Sequence, residues 1–236
     1  MKKTGIITVT FNGAKLLEYQ LKTLKKYCTD NYEFIIVDNS NNNNEMVKIK
    51  NICDENNITY IRTDINVYNT NNNASNNHGL ALNYVHEKLK NDFDYLLFLD
   101  HDLFPIKPFS VEEMLGHNII GGCEQIIANT RYLWPGFMMF SKLEETFDFT
   151  PSPPLDTGGK LSGFINKNID KVLFIDNKHV PIDLKLNNNF MHEFYDDIHN
   201  GTFMHFIKAS NWCNVNVETF NLRQNHLFGM LDEYIK

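Results

Sequence analysis

The sequence YLLFLDHD, residues 95–102, joins five consecutive apolar residues to two aspartates that are separated by one histidine. An apolar run of this length, with acidic residues before it and prolines after it, predicts a strand that is buried on both faces. In open parallel sheets, ligands bind just outside the carboxyl ends of the strands, where Asp100 and Asp102 fall. Two neighbouring carboxylates repel each other unless a cation joins them, and Mg²⁺ and Mn²⁺ accept oxygen ligands. The stretch therefore predicts a metal–diphosphate site, although an isolated Asp-x-Asp pair is also a common start of a loop.

Three more apolar runs precede this strand, and stretches with helical spacing of apolar residues separate them. Strands are predicted at residues 5–10, 34–37, 58–61 and 95–99, and helices at residues 14–26, 45–56 and 74–89. This alternation predicts an α/β fold with a mostly parallel central sheet and helices on both faces. Because the ends of parallel strands meet at one edge, we expect Thr10, Asp38 and Asp102 to face one crevice.

After Pro108 the pattern becomes less regular. Strands are predicted at residues 118–122, 137–140 and 172–175, a short helix from Lys160, and a closing helix at residues 219–235. No linker and no internal repeat marks a boundary. We therefore expect one domain, in which a mixed lobe formed by residues 109–236 faces the substrate and completes the half formed by residues 1–108.

Composition excludes several classes of protein. The 236 residues are 42% hydrophobic and carry a net charge of −7, which argues for a globular chain and against a nucleic-acid-binding protein. No apolar run is long enough to cross a bilayer, and the amino terminus does not resemble a signal peptide. The four cysteines are widely spaced, which favours reduced thiols over disulfides or a zinc site: Cys28, Cys53, Cys123 and Cys213. A cytoplasmic location is the expectation that follows.

Four short motifs occur in the order found in one enzyme family. They are TVTFN at residues 8–12, IVDNS at 36–40, NASNNHGL at 73–80 and FLDHD at 98–102. In order and spacing the first half of the chain resembles the nucleotide-sugar glycosyltransferases of the GT-A fold, especially the family-two, rhamnosyltransferase-like group. One departure is Asn76, where many members carry arginine. The resemblance implies a GT-A (Rossmann-like) sheet, with nucleotide-sugar binding by residues 1–108 and acceptor binding by residues 109–236.

The resemblance also implies where the donor binds. Asp38 would accept a hydrogen bond from the nucleotide base, and Thr10 and Asn12 would line the base and ribose pocket. A carboxylate suits this role because a uracil or guanine ring presents an N–H donor. Alternatively, Asp38 is a helix cap or a turn residue. The predicted nucleotide-sugar-binding set also includes Phe11, Asn39, Asn77, Asp100, His101, Lys208, Ser210 and Asn211.

For the metal, the resemblance implies Mn²⁺ or Mg²⁺ bound directly by Asp102, with Asp100 near the ribose or the metal. His101 should point elsewhere along the strand direction and not bind the metal. His205 resembles the late histidine that completes metal coordination in many GT-A enzymes. Its alternative role is a packed core histidine, since aromatic residues flank it. Lys208 and the Ser210/Asn211 pair would donate hydrogen bonds to phosphate just beyond it.

Transfer with inversion needs a general base for the acceptor hydroxyl, and Asp156 in LDTGG, residues 155–159, is our candidate. The glycines would allow a sugar to approach the backbone closely. Asp156 could equally cap the following helix, and Asp183 or the Asp196/Asp197 pair could be the base instead.

These features predict a metal-dependent, inverting glycosyltransferase that moves a sugar from a UDP, GDP or dTDP sugar to a hydroxyl of a glycan or another acceptor. A sugar-phosphate nucleotidyltransferase is a second hypothesis, although the turn after the first strand is poor in the glycine that such enzymes use to hold a triphosphate. A non-catalytic nucleotide- or glycan-binding module is a third. The sequence leaves the sugar, the base, the acceptor and the oligomeric state open.

Overall fold

The structure is a computed structural model that describes residues 2–65, 74–142, 145–186, 189–206, 209 and 216–236. For residues 185, 186 and 189–192 it describes only the backbone. Among the described helices, none combines the length and the apolar content needed to cross a membrane.

The first half of the chain forms the predicted alternation of strands and helices. Its elements are β1 (Thr4–Thr10), α1 (Ala14–Tyr27), β2 (Tyr32–Asp38), α2 (Asn43–Glu55), β3 (Thr59–Arg62), α3 (Ala74–Leu89) and β4 (Tyr95–Leu99). All four strands are parallel, and β1 lies between β2 and β4. The apolar runs alternate between the faces of the sheet, so that Ile6 packs under α1 and α2 whereas Ile7 packs under α3. The predicted α/β fold with a mostly parallel sheet is confirmed.

The second half extends this sheet and adds a second one. Its elements are β5 (Leu103–Pro105), α4 (Val111–Leu115), β6 (Ile120–Ile127), β7 (Thr130–Ser141), a 3₁₀ turn (Gly159–Leu161), α5 (Ser162–Lys167), a 3₁₀ turn (Ile169–Lys171), β8 (Val172–Ile175), β9 (Asn177–Leu186), β10 (Asn189–Ile198), β11 (Phe203–His205) and α6 (Val217–Ile235). In the described chain, the large sheet has the order β3-β2-β1-β4-β7-β6-β8, and only β7 runs against its neighbours. The small antiparallel sheet has the order β5-β11-β10-β9.

Strands β6 and β7 are longer than predicted, because the predictions at residues 118–122 and 137–140 covered only their apolar ends. The two strands continue into a hairpin whose turn residues, Ala128 and Asn129, both have positive φ. Two such residues form a tight turn that matches the twist of the paired strands. The sequence conceals this extension because polar residues interrupt the apolar pattern, Glu124 and Gln125 in β6 and Thr130 and Arg131 in β7.

The hairpin formed by β9 and β10 is not predicted by the sequence analysis at all. Pro181 lies within β9, opposite Phe194, and a proline argues against a central strand. It is tolerated here because β9 is the edge strand of the small sheet. The hairpin pairs with β11, which in turn pairs with β5, so the small sheet begins directly after Asp102.

Helix α6 packs against the outer side of α1 and against the small sheet. Leu16, Phe104, Met204 and Leu227 share one buried cluster there. A buried ion pair between Arg223 of α6 and Glu193 of β10 fixes the helix to the hairpin. The described cysteines form no disulfide, as expected for Cys28, Cys53 and Cys123, while Cys213 lies outside the described residues.

His86 is buried between α3 and the large sheet, and none of the described residues forms a hydrogen bond with its Nδ1. The ring of His86 lies 5.3–6.2 Å from the rings of four phenylalanines: Phe98, Phe140, Phe147 and Phe149. Burial, followed by the positive charge of Lys90, lowers the pKa of His86 from 6.5 to about 4. The folded state therefore requires a neutral imidazole at this position.

We expect the free energy of unfolding to fall as the pH drops from 6.5 to about 4, because the unfolded chain then binds a proton that His86 cannot accept. The loss attributable to this group is on the order of 3 kcal/mol. In urea denaturation at a series of pH values, His86→Leu should flatten the curve in this window. The matched variant His117→Leu, at an exposed histidine, should retain the wild-type pH dependence. Equal slopes in both variants would contradict the prediction.

Candidate functional site

The carboxyl ends of β1 and β2 lie side by side, with Thr10 opposite Asp38. The Asn39 amide donates to the Thr10 carbonyl at 2.9 Å. Asn12 has a φ of +50°, which turns the chain sharply after β1. Its amide donates to Ser40 Oγ at 2.8 Å, and its side-chain oxygen accepts from the Asn42 amide at 3.1 Å. The loops that follow the two strands are thereby locked together.

Asp38 is fully buried and already has partners within the protein. Its carboxylate accepts from the Tyr60 hydroxyl at 2.8 Å and from the Ser40 amide at 2.9 Å, and Arg62 NH1 lies 3.8 Å from Oδ1. Burial and this bond to Asp38 raise the pKa of Tyr60 above its ordinary value. The bond to Ser40 is the turn role considered above, whereas the cap of α2 is Asn42. A nucleotide base therefore meets Asp38 only if this local arrangement opens.

Phe11 is the exposed aromatic residue at this edge, with 39% of its surface accessible. It directly follows β1, and its amide donates to His101 Nδ1 at 3.3 Å. The same Nδ1 lies 3.3 Å from Thr10 Oγ1. His101 is itself buried, so it connects the end of β1 to the Asp100–Asp102 turn. Gly13 makes this contact possible, because a Cβ there would lie 2.9 Å from His101 Nδ1.

Asn39 and Asn77 are buried beside these loops. The Asn39 side chain donates to the Asn77 carbonyl at 3.5 Å and accepts from the Thr63 hydroxyl at 3.0 Å. Both residues thus join α3 to the ends of β2 and β3. Three further predicted donor-binding residues lie outside the described residues: Lys208, Ser210 and Asn211.

Asp100 follows β4 and faces both α3 and β7. Its amide donates to the Gly136 carbonyl at 2.8 Å, and its Oδ1 lies 3.4 Å from His78 Nε2. The side chain keeps 23% of its surface exposed. Desolvation by the surrounding protein raises the pKa of Asp100, negative charge on Asp102 raises it further, and His78 opposes both. A positive charge at this point would therefore relieve repulsion between the two carboxylates.

Gly136 keeps room for the side chains around Asp100. A Cβ at this position would lie 2.5 Å from Asp100 Oδ2 and 2.1 Å from Cζ2 of Trp134. The Trp134 ring in turn packs against the His205 ring, with centroids 4.6 Å apart. The WPG sequence at residues 134–136 therefore lies next to Asp100 and His205, two of the three predicted metal ligands.

Asp102 and His205 lie at the junction of the large and small sheets. Both side chains are buried, and His205 Nε2 lies 3.5 Å from Asp102 Oδ1. His205 Nδ1 lies 3.2 Å from Oδ2 of Asp196, a residue that sequence reasoning considered only as a possible base. Burial by itself lowers the pKa of His205, but hydrogen bonds to Asp102 and Asp196 outweigh burial and raise the pKa to about 10. Metal binding at Nε2 therefore requires loss of a proton.

Gln20 holds the turn that carries Asp100 and Asp102. The role of Gln20 was not predicted from the sequence. Its buried amide nitrogen donates to the carbonyls of Asp100 and Leu103 at 2.8 and 2.9 Å. Its oxygen accepts from the Thr8 hydroxyl at 2.9 Å. The available signal was a polar residue on the apolar face of α1, and such a residue must find buried partners.

Asp156 is exposed on the loop before α5. Its Oδ1 accepts from the Thr157 amide at 2.7 Å, and the Thr157 hydroxyl donates to the Ser75 carbonyl at 2.9 Å. A Cβ on Gly158 would lie 2.8 Å from the Leu133 carbonyl, so this loop adjoins both α3 and the strand that carries Trp134. The alternative role as a helix cap is wrong, because Gly158 occupies the cap position and no side chain bonds there.

The other acidic candidates are placed differently. Asp183 is exposed on the edge strand β9. The carboxylate of Asp197 accepts from the Gly201 amide in the turn after β10. Asp196 is buried between two histidines. Of these acidic residues, Asp156 is the exposed one whose loop adjoins the strand that carries Trp134 and Gly136.

The described residues contain no ready-made group of three or more histidine, cysteine, aspartate or glutamate side chains that could hold a metal ion. The donor types nevertheless fit such an ion. The charge of Asp102 raises the pKa of Asp100, and the His205 imidazole lies beside Asp102. Two carboxylates and an imidazole suit Mn²⁺, which accepts both oxygen and nitrogen ligands. Asp100, Asp102 and His205 are the residues that would hold it after His205 and Asp102 separate.

The family model for glycosyl transferase family 2 matches residues 5–132, which is more than half of the chain. Among curated proteins, no sequence matches the chain. The similar solved structures include the following two. The apo WbbM bifunctional glycosyltransferase is 12% identical with a TM-score of 0.45, and the match covers 73% of this chain and 38% of that one. The mannosyltransferase PcManGT from Pyrobaculum calidifontis, in complex with GDP-Man and Mn²⁺, is 15% identical with a TM-score of 0.48, and the match covers 73% of this chain and 54% of that one. The chain thus matches about half or less of the length of either protein.

Proposed function

The chain belongs to glycosyl transferase family 2 and is a glycosyltransferase, and we propose that it moves a sugar from a nucleoside-diphosphate sugar to an acceptor hydroxyl with the help of a divalent cation. The observation that supports this most is the grouping of Asp100, Asp102 and His205 where β4 ends and the small sheet begins. When bound, the cation would neutralise charge on the departing nucleoside diphosphate.

We propose that the donor base lies over the ends of β1 and β2. Phe11 offers an exposed ring for stacking, and Thr10 and Asn12 set the path of the backbone around it. Because Asp38 is fully buried and accepts from Tyr60 and Ser40, a base N–H would reach this carboxylate only if the surrounding loop opens. Otherwise Asp38 acts by fixing the loop that contacts the base.

We propose that Asp156 accepts the proton of the attacking hydroxyl. The acceptor oxygen would bond to the anomeric carbon as the bond to the diphosphate oxygen breaks, which inverts configuration. Two observations support this role: Asp156 is exposed, and Gly158, two residues on, packs against Leu133 and Pro135 in the strand that carries Trp134. The Trp134 face is available nearby for a sugar ring, since aromatic faces bind the apolar faces of sugars.

A thermal-shift panel of UDP, GDP, dTDP and CDP, each with Mn²⁺ or with EDTA, tests this proposal. A ligand at about 100 times its Kd stabilises the native state by roughly 2.7 kcal/mol, which for a chain of this size raises Tm by roughly 5–10 °C. We expect one nucleotide to produce this shift with Mn²⁺ and to lose most of it in EDTA. A shift that is equal in Mn²⁺ and EDTA, or no shift with any nucleotide, would contradict the proposal.

A further inference from the structure

We infer that Asp196 is a positioning residue, which holds the His205 imidazole in the orientation needed to bind the metal ion. This inference rests on the proposed function, because it takes His205 as a metal ligand. The inference adds to the metal site a residue from the small sheet, because Asp196 lies on β10 of the β9–β10 hairpin.

The register of the small sheet places the residues concerned in one row. Leu103 of β5 pairs with His205 of β11, His205 pairs with Asp196 of β10, and Asp196 pairs with His179 of β9. Directly opposed residues in antiparallel strands project from the same face of the sheet. The backbone pairing alone therefore puts the Asp196 carboxylate between two imidazoles.

The side chains occupy the positions that this register allows. Asp196 Oδ2 lies 3.2 Å from His205 Nδ1, while Asp196 Oδ1 bonds to His179 Nδ1. On its other side, His205 directs Nε2 toward Asp102 at 3.5 Å. Asp196 is only 5% exposed, whereas the His179 side chain is 68% exposed. The row thus begins at the exposed His179, continues through the buried Asp196 and ends at His205, whose ring faces Asp102.

The bond to Asp196 determines which ring nitrogen of His205 carries the proton when the ring is neutral. A carboxylate bonded to Nδ1 keeps the proton on that nitrogen, so that a neutral ring presents its lone pair at Nε2. Ligand histidines in metal sites are held in this manner, and loss of the second partner weakens metal binding by about 10- to 100-fold. Trp134, packed on the ring, restricts its tilt, while Asp196 restricts its rotation about the Cβ–Cγ bond.

The experiment compares Asp196→Asn with Glu193→Gln. Glu193 is a matched control, because it lies on the same strand, is also 5% exposed and is ion-paired with Arg223. Mn²⁺ alone would be titrated calorimetrically into the full chain at neutral pH, and Tm would be recorded for each variant. We expect Asp196→Asn to weaken Mn²⁺ binding by about 10- to 100-fold. Glu193→Gln should lower Tm and leave the Mn²⁺ Kd within about threefold of the wild type, as a purely structural role would.

His205→Ala, measured alongside, separates this inference from the proposed function. If His205→Ala weakens Mn²⁺ binding and Asp196→Asn does not differ from Glu193→Gln, the positioning role is wrong and the metal site stands. If the wild type binds no Mn²⁺, or His205→Ala binds it normally, the proposed metal site fails as well. Should Asp196→Asn not fold, Asp196→Ser, which also removes the carboxylate, replaces it, and a Mn²⁺ Kd equal to that of the wild type would then overturn the inference.

Discussion

Replacing Asp102 with asparagine is expected to abolish Mn²⁺-dependent nucleotide binding and to slow sugar transfer by about a thousandfold or more, because several kcal/mol of charge stabilisation depend on the cation. The expectation rests on the position of the side chain, which is buried with Oδ1 3.5 Å from His205 Nε2. The fold should survive, since the Asp102 carbonyl accepts from the Phe206 amide at 3.0 Å whatever the side chain. Asparagine also preserves the shape of the side chain while removing its charge.

The measurement is the nucleotide-induced rise in Tm with Mn²⁺, together with initial rates of transfer. Asp92→Asn is the control, because Asp92 is exposed just before the opposite end of β4. It should give wild-type shifts and rates. If Asp102→Asn transfers sugar at the wild-type rate, the assignment of Asp102 to the metal is wrong.

Replacing Asp156 with asparagine should lower kcat by about 10²- to 10⁴-fold, the range typical for loss of a general base. The donor Kd should not change, because Asp156 lies on the loop before α5, whereas the proposed nucleotide site is formed by the loops after β1 and β2. An asparagine oxygen can still accept from the Thr157 amide, so the loop should keep its conformation. A loss confined to kcat is therefore the signature of the proposed role.

Steady-state kinetics and the donor Kd from thermal shifts distinguish the possibilities. Asp170→Asn, at an exposed aspartate in the turn before β8, should behave like the wild type. A kcat for Asp156→Asn equal to that of the control would mean that another group accepts the proton. A raised donor Kd with an unchanged kcat would instead place Asp156 in the donor site.

The parallel half of the fold could be predicted because each strand is a short apolar run, and residues of this type bury both faces of a covered sheet. Leu97 and Phe98, for example, enter opposite core clusters from adjacent positions of β4. The small sheet could not be predicted in the same way. Its edge strand β9 contains Pro181 and many polar residues, and its pairing with β10 is visible only in three dimensions.

The site shows the same division. The placement of Thr10, Asp38 and the Asp100–Asp102 turn at one edge follows from the topology of parallel strands, which the order of apolar runs indicates. The partners of these residues come from distant segments. Tyr60 and Arg62 occupy Asp38 because β3 pairs with β2, and Gln20 holds Asp100 from 80 residues away. A buried polar residue such as Gln20 signals that a partner exists, but no local pattern identifies that partner. The sequence therefore predicts which residues follow the strands and not which side chains hold them.

We propose that the crevice at the end of β4 holds a divalent cation on Asp100, Asp102 and His205. The most direct measurement is anomalous scattering from a crystal of the full chain grown with Mn²⁺ and the nucleoside diphosphate that raises Tm most. We expect one strong manganese peak within bonding distance of Asp102 and His205, with the diphosphate beside it. A nucleotide bound elsewhere, or a manganese peak remote from both side chains, would contradict it.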